Sequence, residues 1–280
     1  MRITMLLFFL ANSLLVFSQE NLKILNYNLS DGFGSNTAEL EKWMKGQAVD
    51  IAAFQGVDME EEDLKKMAKK WKHKNVAIVA GGNANIALTS TYPIKVTSAE
   101  GFLKASVNDM QLYAVQVNQD SFKHREAMIA ALAADVEQQI VAEKQVLLLG
   151  HIEGYAKADS SIYAQRFRAV PIKDRADRAI IRQISSYARP KNYQLMTKLT
   201  ATGLLDPVGM MRTGDEVEST FPSKKAGDFP QYRTYRVDYA LISPNLKTSY
   251  QKVSVLKDDW TKQYSEHYPI LLELKAVVED

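Results

Sequence analysis

The chain has 280 residues, 46% hydrophobic and 24% charged, with a formal net charge of +2 and no cysteine. Disulfides, thiolate metal sites and a lipoprotein-type lipid attachment are therefore excluded, and so is polyanion binding by overall charge.

In chain order, Arg2 precedes an apolar run from Met5 to Phe17 and then Ser18-Gln19-Glu20. This reads as a signal peptide over residues 1–18, cut near Ser18/Gln19, and hence as a secreted or periplasmic protein. The run is shorter than a span requires and is interrupted by Asn12 and Ser13, so no transmembrane span is expected after cleavage. Export without cysteines is common among periplasmic proteins, and residues 20–280 suit one large α/β domain.

Leu22 to Asn28 reads as a short aliphatic strand. Asn36 and Glu39 have capping-box spacing, with Leu40, Trp43 and Met44 as the apolar stripe of the following helix. A buried strand at Asp50–Phe54 leads to an acidic helix start at Glu60-Glu61-Glu62, whose charge complements the helix dipole, with Leu64, Met67, Ala68 and Trp71 inward. Strands follow at Val76–Ala80, Asn85–Ser90, Phe102–Val107 and Leu112–Val117. A long helix spans Ser121 to Glu143, with Met128, Leu132, Val136 and Ile140 inward, and Val146–Leu149 is a buried strand. From Tyr155 to Lys191 nine basic residues stand against three acidic ones, a partly helical basic insertion. A helix at Gln194–Ala201 ends at Gly203, and strands close the chain near Tyr235–Ser243, Lys252–Leu256 and Ile270–Val277. This order fits an α/β sandwich of two packed sheets with helices outside.

Several short strings carry a family likeness in order along Leu22 to about Lys275. They are Ile24-Leu25-Asn26-Tyr27-Asn28-Leu29, Asp50-Ile51-Ala52-Ala53-Phe54-Gln55-Gly56-Val57, the stretch Gly82 to Pro93, and Gly203-Leu204-Leu205-Asp206. Ser219-Thr220-Phe221-Pro222 with Arg236-Val237-Asp238-Tyr239, then Ser265-Glu266-His267-Tyr268-Pro269-Ile270, complete the set. Together they resemble the endonuclease/exonuclease/phosphatase superfamily. The resemblance implies a DNase I-like four-layer α/β sandwich, two packed mixed β-sheets flanked by helices, and Mg²⁺-dependent phosphoester hydrolysis.

That reaction requires a metal on the phosphoryl oxygens, a base for water and donors for the transition state. The resemblance places the family's metal-binding Glu at Gly56 and its strand His at Gln116. It places the Asp and Asn of the G-D-x-N loop at His151 and Glu153, and the Asp of "S-D-H" at Glu266. Asn28, Asp238 and His267 match the pattern. The expectation is a degenerate active site. Asp238 and His267 are the surviving catalytic dyad; Asn28, Gln116, His151 and Glu153 are ligand-binding positions; Glu266 is the remaining metal candidate. No cofactor is expected unless the site is rebuilt around Mg²⁺ or another divalent ion, for which two imidazoles and two carboxylates suit Zn²⁺ or Mn²⁺. The expected partner is a phosphorylated small molecule or acidic ligand, or another protein, ahead of nucleic acid. The alternative is an active metal-dependent phosphodiesterase, phosphatase or nuclease with a rearranged site. Asp58 lies two residues past Gly56, too far along the chain to replace the missing Glu, and reads as an exposed acid. His73, in a Lys-rich helix end, and His124, at a helix start, receive no role.

Overall fold

The computed structural model describes residues 21–30, 32–33, 37–80, 85–98, 101–117, 121–168, 170, 191–212, 217–228 and 233–275. The leader, the Asn36 cap and residues 171–190 of the basic insertion lie outside them.

Two mixed sheets pack face to face. The first contains β1 (Asn21–Asn28), β2 (Ile51–Val57), β3 (Asn75–Ala80), β4 (Asn85–Ser90), β10 (Tyr250–Val255) and β11 (Ile270–Lys275), in the order β10-β11-β1-β2-β4-β3. The second contains β5 (Ile94–Ser98), β6 (Leu103–Val107), β7 (Met110–Gln116), β8 (Val146–His151) and β9 (Asp238–Ile242), in that order. Between the sheets lies an aliphatic layer including Ile24, Ile51, Leu88, Leu112, Leu147, Leu149, Ala240 and Leu272. Each fully buried aliphatic side chain of this kind contributes about 1.5–3 kcal/mol.

Helices cover both outer faces. On the first sheet, α1 (Thr37–Gln47) buries Leu40 and Met44, and α2 (Glu61–Ala68) buries Leu64 and Met67, against Leu25, Phe54 and Ala87. On the second, α3 (Phe122–Val141) and α5 (Lys191–Ala201) bury Ile129, Leu132, Val136, Leu195 and Leu199 against Tyr113, Leu148 and Leu241. Shorter helices are α4 (Ser160–Arg168), α6 (Pro207–Met210) and α7 (Thr261–Tyr264). The four-layer sandwich expected from the sequence is the observed fold. No helix among the described residues is long and apolar enough to cross a membrane.

Three local departures matter. β5, unread in the sequence, is an edge strand whose outward residues include Val96 at 43% exposure, so its sequence lacks a buried-strand pattern. The strand expected from Tyr235 begins at Asp238, because the N–H groups of Val237 and Asp238 donate to Thr220 Oγ1 while Tyr235 pairs with Phe221. The strand expected to end at Phe54 continues to Val57, with a register shift at Gly56. Within the basic insertion, Arg166 is buried and donates to the carbonyls of Thr234 and Val217, so it serves the fold rather than a charged surface.

Candidate active site

Parallel pairing of β1 with β2 and of β7 with β8 brings their C-terminal ends to one edge of the sandwich. Asn28 is the register partner of Gln55, Gln116 of His151, and His151 of Asp238. Buried amides tie the two sheets together there. Asn26 Nδ2 donates to the Tyr239 carbonyl at 3.2 Å, and Gln55 Nε2 donates to Asn26 Oδ1 at 2.9 Å.

The center of the site is Asp238, 1% exposed, with an imidazole on each carboxylate oxygen. His267 Nδ1 lies 2.7 Å from Oδ2 and His151 Nδ1 lies 3.1 Å from Oδ1. The two rings meet edge to face, centroids 5.0 Å apart. His151 Nε2 continues to Glu153 Oε1 at 3.4 Å, and Glu153 Oε2 accepts from Arg125 Nη1 at 3.1 Å. The result is a hydrogen-bonded relay, Arg125–Glu153–His151–Asp238–His267.

Electrostatics fix its protonation. Burial would lower the His151 pKa, but hydrogen bonds and charges from Asp238 and Glu153 prevail and push it up to about 9. His151 is therefore a buried cation at neutral pH, donating from both ring nitrogens. Burial would raise Asp238 and Glu153. Asp238 is nevertheless held well below the usual carboxylate range by the two imidazoles, and Glu153 is lowered by His151 and then Arg125.

Other side chains position this group. Thr220 Oγ1 fixes the start of β9, as above. Ser265 Oγ donates to the Asn28 carbonyl at 2.6 Å and accepts from His267 N–H at 3.1 Å, joining β1 to the His267 loop. The stacked rings of Trp43, Trp260 and Tyr264 brace that loop from the helix side, with centroids 4.7 and 4.2 Å apart.

The Gly56 side is built differently. Gly56 sits at φ +75° in a bulge of β2, and its N–H donates to Gln116 Oε1 at 3.0 Å. A Cβ there would lie 3.1 Å from the backbone N and O of Ser30. Two of the positions that depart from the family pattern thus bond to each other, and the backbone at Gly56 takes a conformation that disfavors a side chain. Asn28 Oδ1 accepts from Ser30 N–H at 3.0 Å.

Of the sequence-derived candidates, His151, Asp238 and His267 form one buried group with ligand atoms within 4.8 Å of one another, and Glu153 adjoins it through His151. Glu266 is half-buried and meets its surroundings through its carbonyl, which accepts from Ser223 N–H; its carboxylate stands outside that group. Arg125, Thr220 and Ser265 were not assigned roles from sequence. Thr220 and Ser265 belong to the resembling strings, whereas Arg125 gave no signal beyond being a cation at a helix start. Asp58 is exposed, as expected, and accepts from Phe33 N–H at 2.8 Å. His124 is exposed, whereas His73 is buried, its ring nitrogens meeting Thr89 Oγ1 at 2.7 Å and the Val49 carbonyl at 2.8 Å.

A hard divalent ion of the kind the fold family uses requires accessible oxygen ligands. Asn28 Oδ1, Gln116 Oε1, Glu153 and Asp238 are each engaged by an internal donor, and Gly56 offers none. The carboxylate that the resemblance assigns to Mg²⁺ is thus missing at Gly56, and each remaining oxygen already accepts a hydrogen bond. The His/Asp/His group has donors of the type Zn²⁺ accepts, but such an ion would have to displace a proton from a cationic His151.

No protein-family model and no curated protein sequence matches the chain. Solved structures do. An AP endonuclease from Archaeoglobus fulgidus aligns with TM-score 0.69 at 14% identity, over 91% of this chain and 100% of that one. A 3'-5' exonuclease from Neisseria meningitidis gives 0.66 at 19%, over 91% and 100%. A Neisseria 3' phosphatase variant bound to product DNA hairpin gives 0.63 at 20%, over 90% and 99%. The fold is that of the DNase I-like endonuclease/exonuclease/phosphatase structures. At these identities the likeness defines the fold and leaves the activity to the site.

Proposed function

We propose that this protein is a pseudoenzyme of the endonuclease/exonuclease/phosphatase fold that binds a phosphorylated or acidic ligand in the inherited cleft without metal-dependent hydrolysis. One observation carries this reading: the oxygens a hard metal would need are already hydrogen-bonded within the site. What remains toward a ligand is a set of donors. Arg125 anchors through Nη1, and its buried Nε has no partner among the described residues. His267 has Nδ1 on Asp238, which leaves Nε2 as an acceptor in the neutral ring and a donor only in the imidazolium. Asn28 and Gln116 have their amide oxygens engaged, which orients their NH₂ groups outward from those bonds. Outward amide donors beside a guanidinium suit an oxyanion. The N-terminal leader adds secretion or a periplasmic location to the proposal, checked by the N-terminus of the mature protein.

The His/Asp/His group supports a second reading, an active phosphodiesterase, phosphatase or nuclease using a rearranged metal. One experiment separates the two. Turnover of bis-p-nitrophenyl phosphate is measured with Mg²⁺, Mn²⁺ and Zn²⁺ for the wild type and His267→Ala, alongside calorimetry with inorganic phosphate and AMP in EDTA. The pseudoenzyme reading expects no metal-dependent turnover beyond that of His267→Ala, and anion binding that survives EDTA and weakens in Arg125→Gln. Metal-dependent turnover abolished by His267→Ala overturns it. A protein partner docked on the basic insertion would show instead as capture lost on deleting residues 155–191 and unaffected by cleft substitutions.

A further inference from the structure

A cavity of about 300 Å³ lies where edge strand β10 of the first sheet approaches α6, beyond β9 of the second. It shares no lining residue with the His151–Asp238–His267 group. Its wall is mixed: Val208, Met211, Val217 and Val255 stand beside Arg212, Glu218 and Ser254, and its floor is the buried Asp159–Arg236 pair. We infer that this cavity is a second binding site, for a small carboxylate carrying an aliphatic body.

The argument rests on which polar groups are engaged. Arg236 donates through Nε and Nη2 to Asp159 Oδ2 and through Nη1 to Asp206, so its charge is met on both sides. Asp159 also receives Arg212 Nη1 at 3.4 Å, and Glu218 is held by Lys257 at 2.7 Å. A cationic ligand would find every lining carboxylate taken. Arg212 is different: it is anchored through Nη1 to the Ala158 carbonyl and Asp159, and its Nε and Nη2 have no partner among the described residues. Those two donors form the planar fork that a carboxylate fills with two parallel hydrogen bonds. A phosphate dianion would find no second open guanidinium edge, because Arg236 is engaged through Nε, Nη1 and Nη2. Val208, Val217, Val255 and Met211 give an aliphatic body one side to pack on, and Met211, 46% exposed, is the side chain such a body would cover. A hollow that pairs apolar side chains with a few oriented polar groups is a common form of small-molecule site.

The test is calorimetric titration of the full protein with octanoate and with 1-octanol. Octanoate should bind saturably, and octanol about tenfold more weakly or worse, because it cannot fill the guanidinium fork. Arg212→Gln should reduce the octanoate affinity about tenfold or more and bring the two ligands level. Val255→Trp should fill the hollow and abolish binding of both. His267→Ala should leave octanoate binding unchanged, which keeps this site distinguishable from the cleft. Non-saturable octanoate uptake overturns the inference. So does wild-type affinity in Arg212→Gln or Val255→Trp with an unchanged unfolding midpoint.

Discussion

His73 and His151 are both buried histidines, at different places in the sandwich, and their surroundings drive them in opposite directions. His73 lies beneath the end of α2 with neutral partners, the Thr89 hydroxyl and the Val49 carbonyl. Burial dominates and lowers its pKa to about 4, so it is a neutral core residue. His151 is as thoroughly enclosed, yet two carboxylates raise it to about 9 and make it a fixed cation. Burial alone does not assign a histidine its charge; the nearest acceptors do. A buried imidazolium between two carboxylates is an internal ion pair, and it stands where the sequence resemblance places the Asp of a G-D-x-N loop.

The sharpest way to break the contrast is Asp238→Ala. It strips the acceptor from both imidazoles and leaves the His151 cation with Glu153 alone. Loss of one partner from a buried ionic group costs about 3–5 kcal/mol, read as a fall in the urea midpoint. Next come the pH limbs. His73 has a folded pKa below its unfolded value of about 6.5, so its contribution is present above that value and is lost as pH falls toward about 4. His151 has a folded pKa above its unfolded value, so its contribution is complete below about 6.5 and is lost as pH rises toward about 9. Each limb is on the order of 1–3 kcal/mol. Urea midpoints across pH for His73→Leu and His151→Gln should flatten the acid and alkaline limbs respectively. If one substitution flattens both, the two regions are coupled and the contrast fails.

Gly56→Glu tests the other half of the site at smaller cost. Restoring the family's residue should not restore a metal site, because the bulge holds this position at positive φ and its N–H serves Gln116. A non-glycine residue there costs about 1–2 kcal/mol. The expected result is a lower melting temperature that Mg²⁺ does not recover; recovery by Mg²⁺ would show that one missing ligand was the whole deficit.

Most of the fold was legible because alternating apolar strands and amphipathic helices occur in an order that few sandwiches share, and the family strings fixed which one. β5 was not, since an edge strand exposes the residues that would otherwise reveal it. In the site, residue types at Gly56, Gln116, His151 and Glu153 were readable, but their bonds were not. The Gly56–Gln116 contact uses a backbone donor, which sequence does not display. Arg125 and Glu153 are brought together by the β7–α3–β8 crossover. His73 was hidden by its lysine neighbors: Lys72 and Lys74 are exposed while the imidazole between them turns into the core.

The smallest expected effect is the most discriminating for the relay. Arg125 lies at its outer end, with its side chain 17% exposed, paired to a Glu153 side chain that is 29% exposed. The pair is half-buried and less enclosed than the Asp238 group, so Arg125→Gln should move the urea midpoint at neutral pH less than Asp238→Ala does. Its effect on the alkaline limb has a definite sign. Removing the guanidinium leaves the Glu153 charge less compensated, which favors the His151 cation and moves the limb to slightly higher pH. If Arg125 acts mainly by holding Glu153 against His151, its loss lets the carboxylate swing away and the limb moves to lower pH instead. The direction of that shift, measured in the same titration as the His151→Gln variant, decides whether the relay is an electrostatic balance or a mechanical brace.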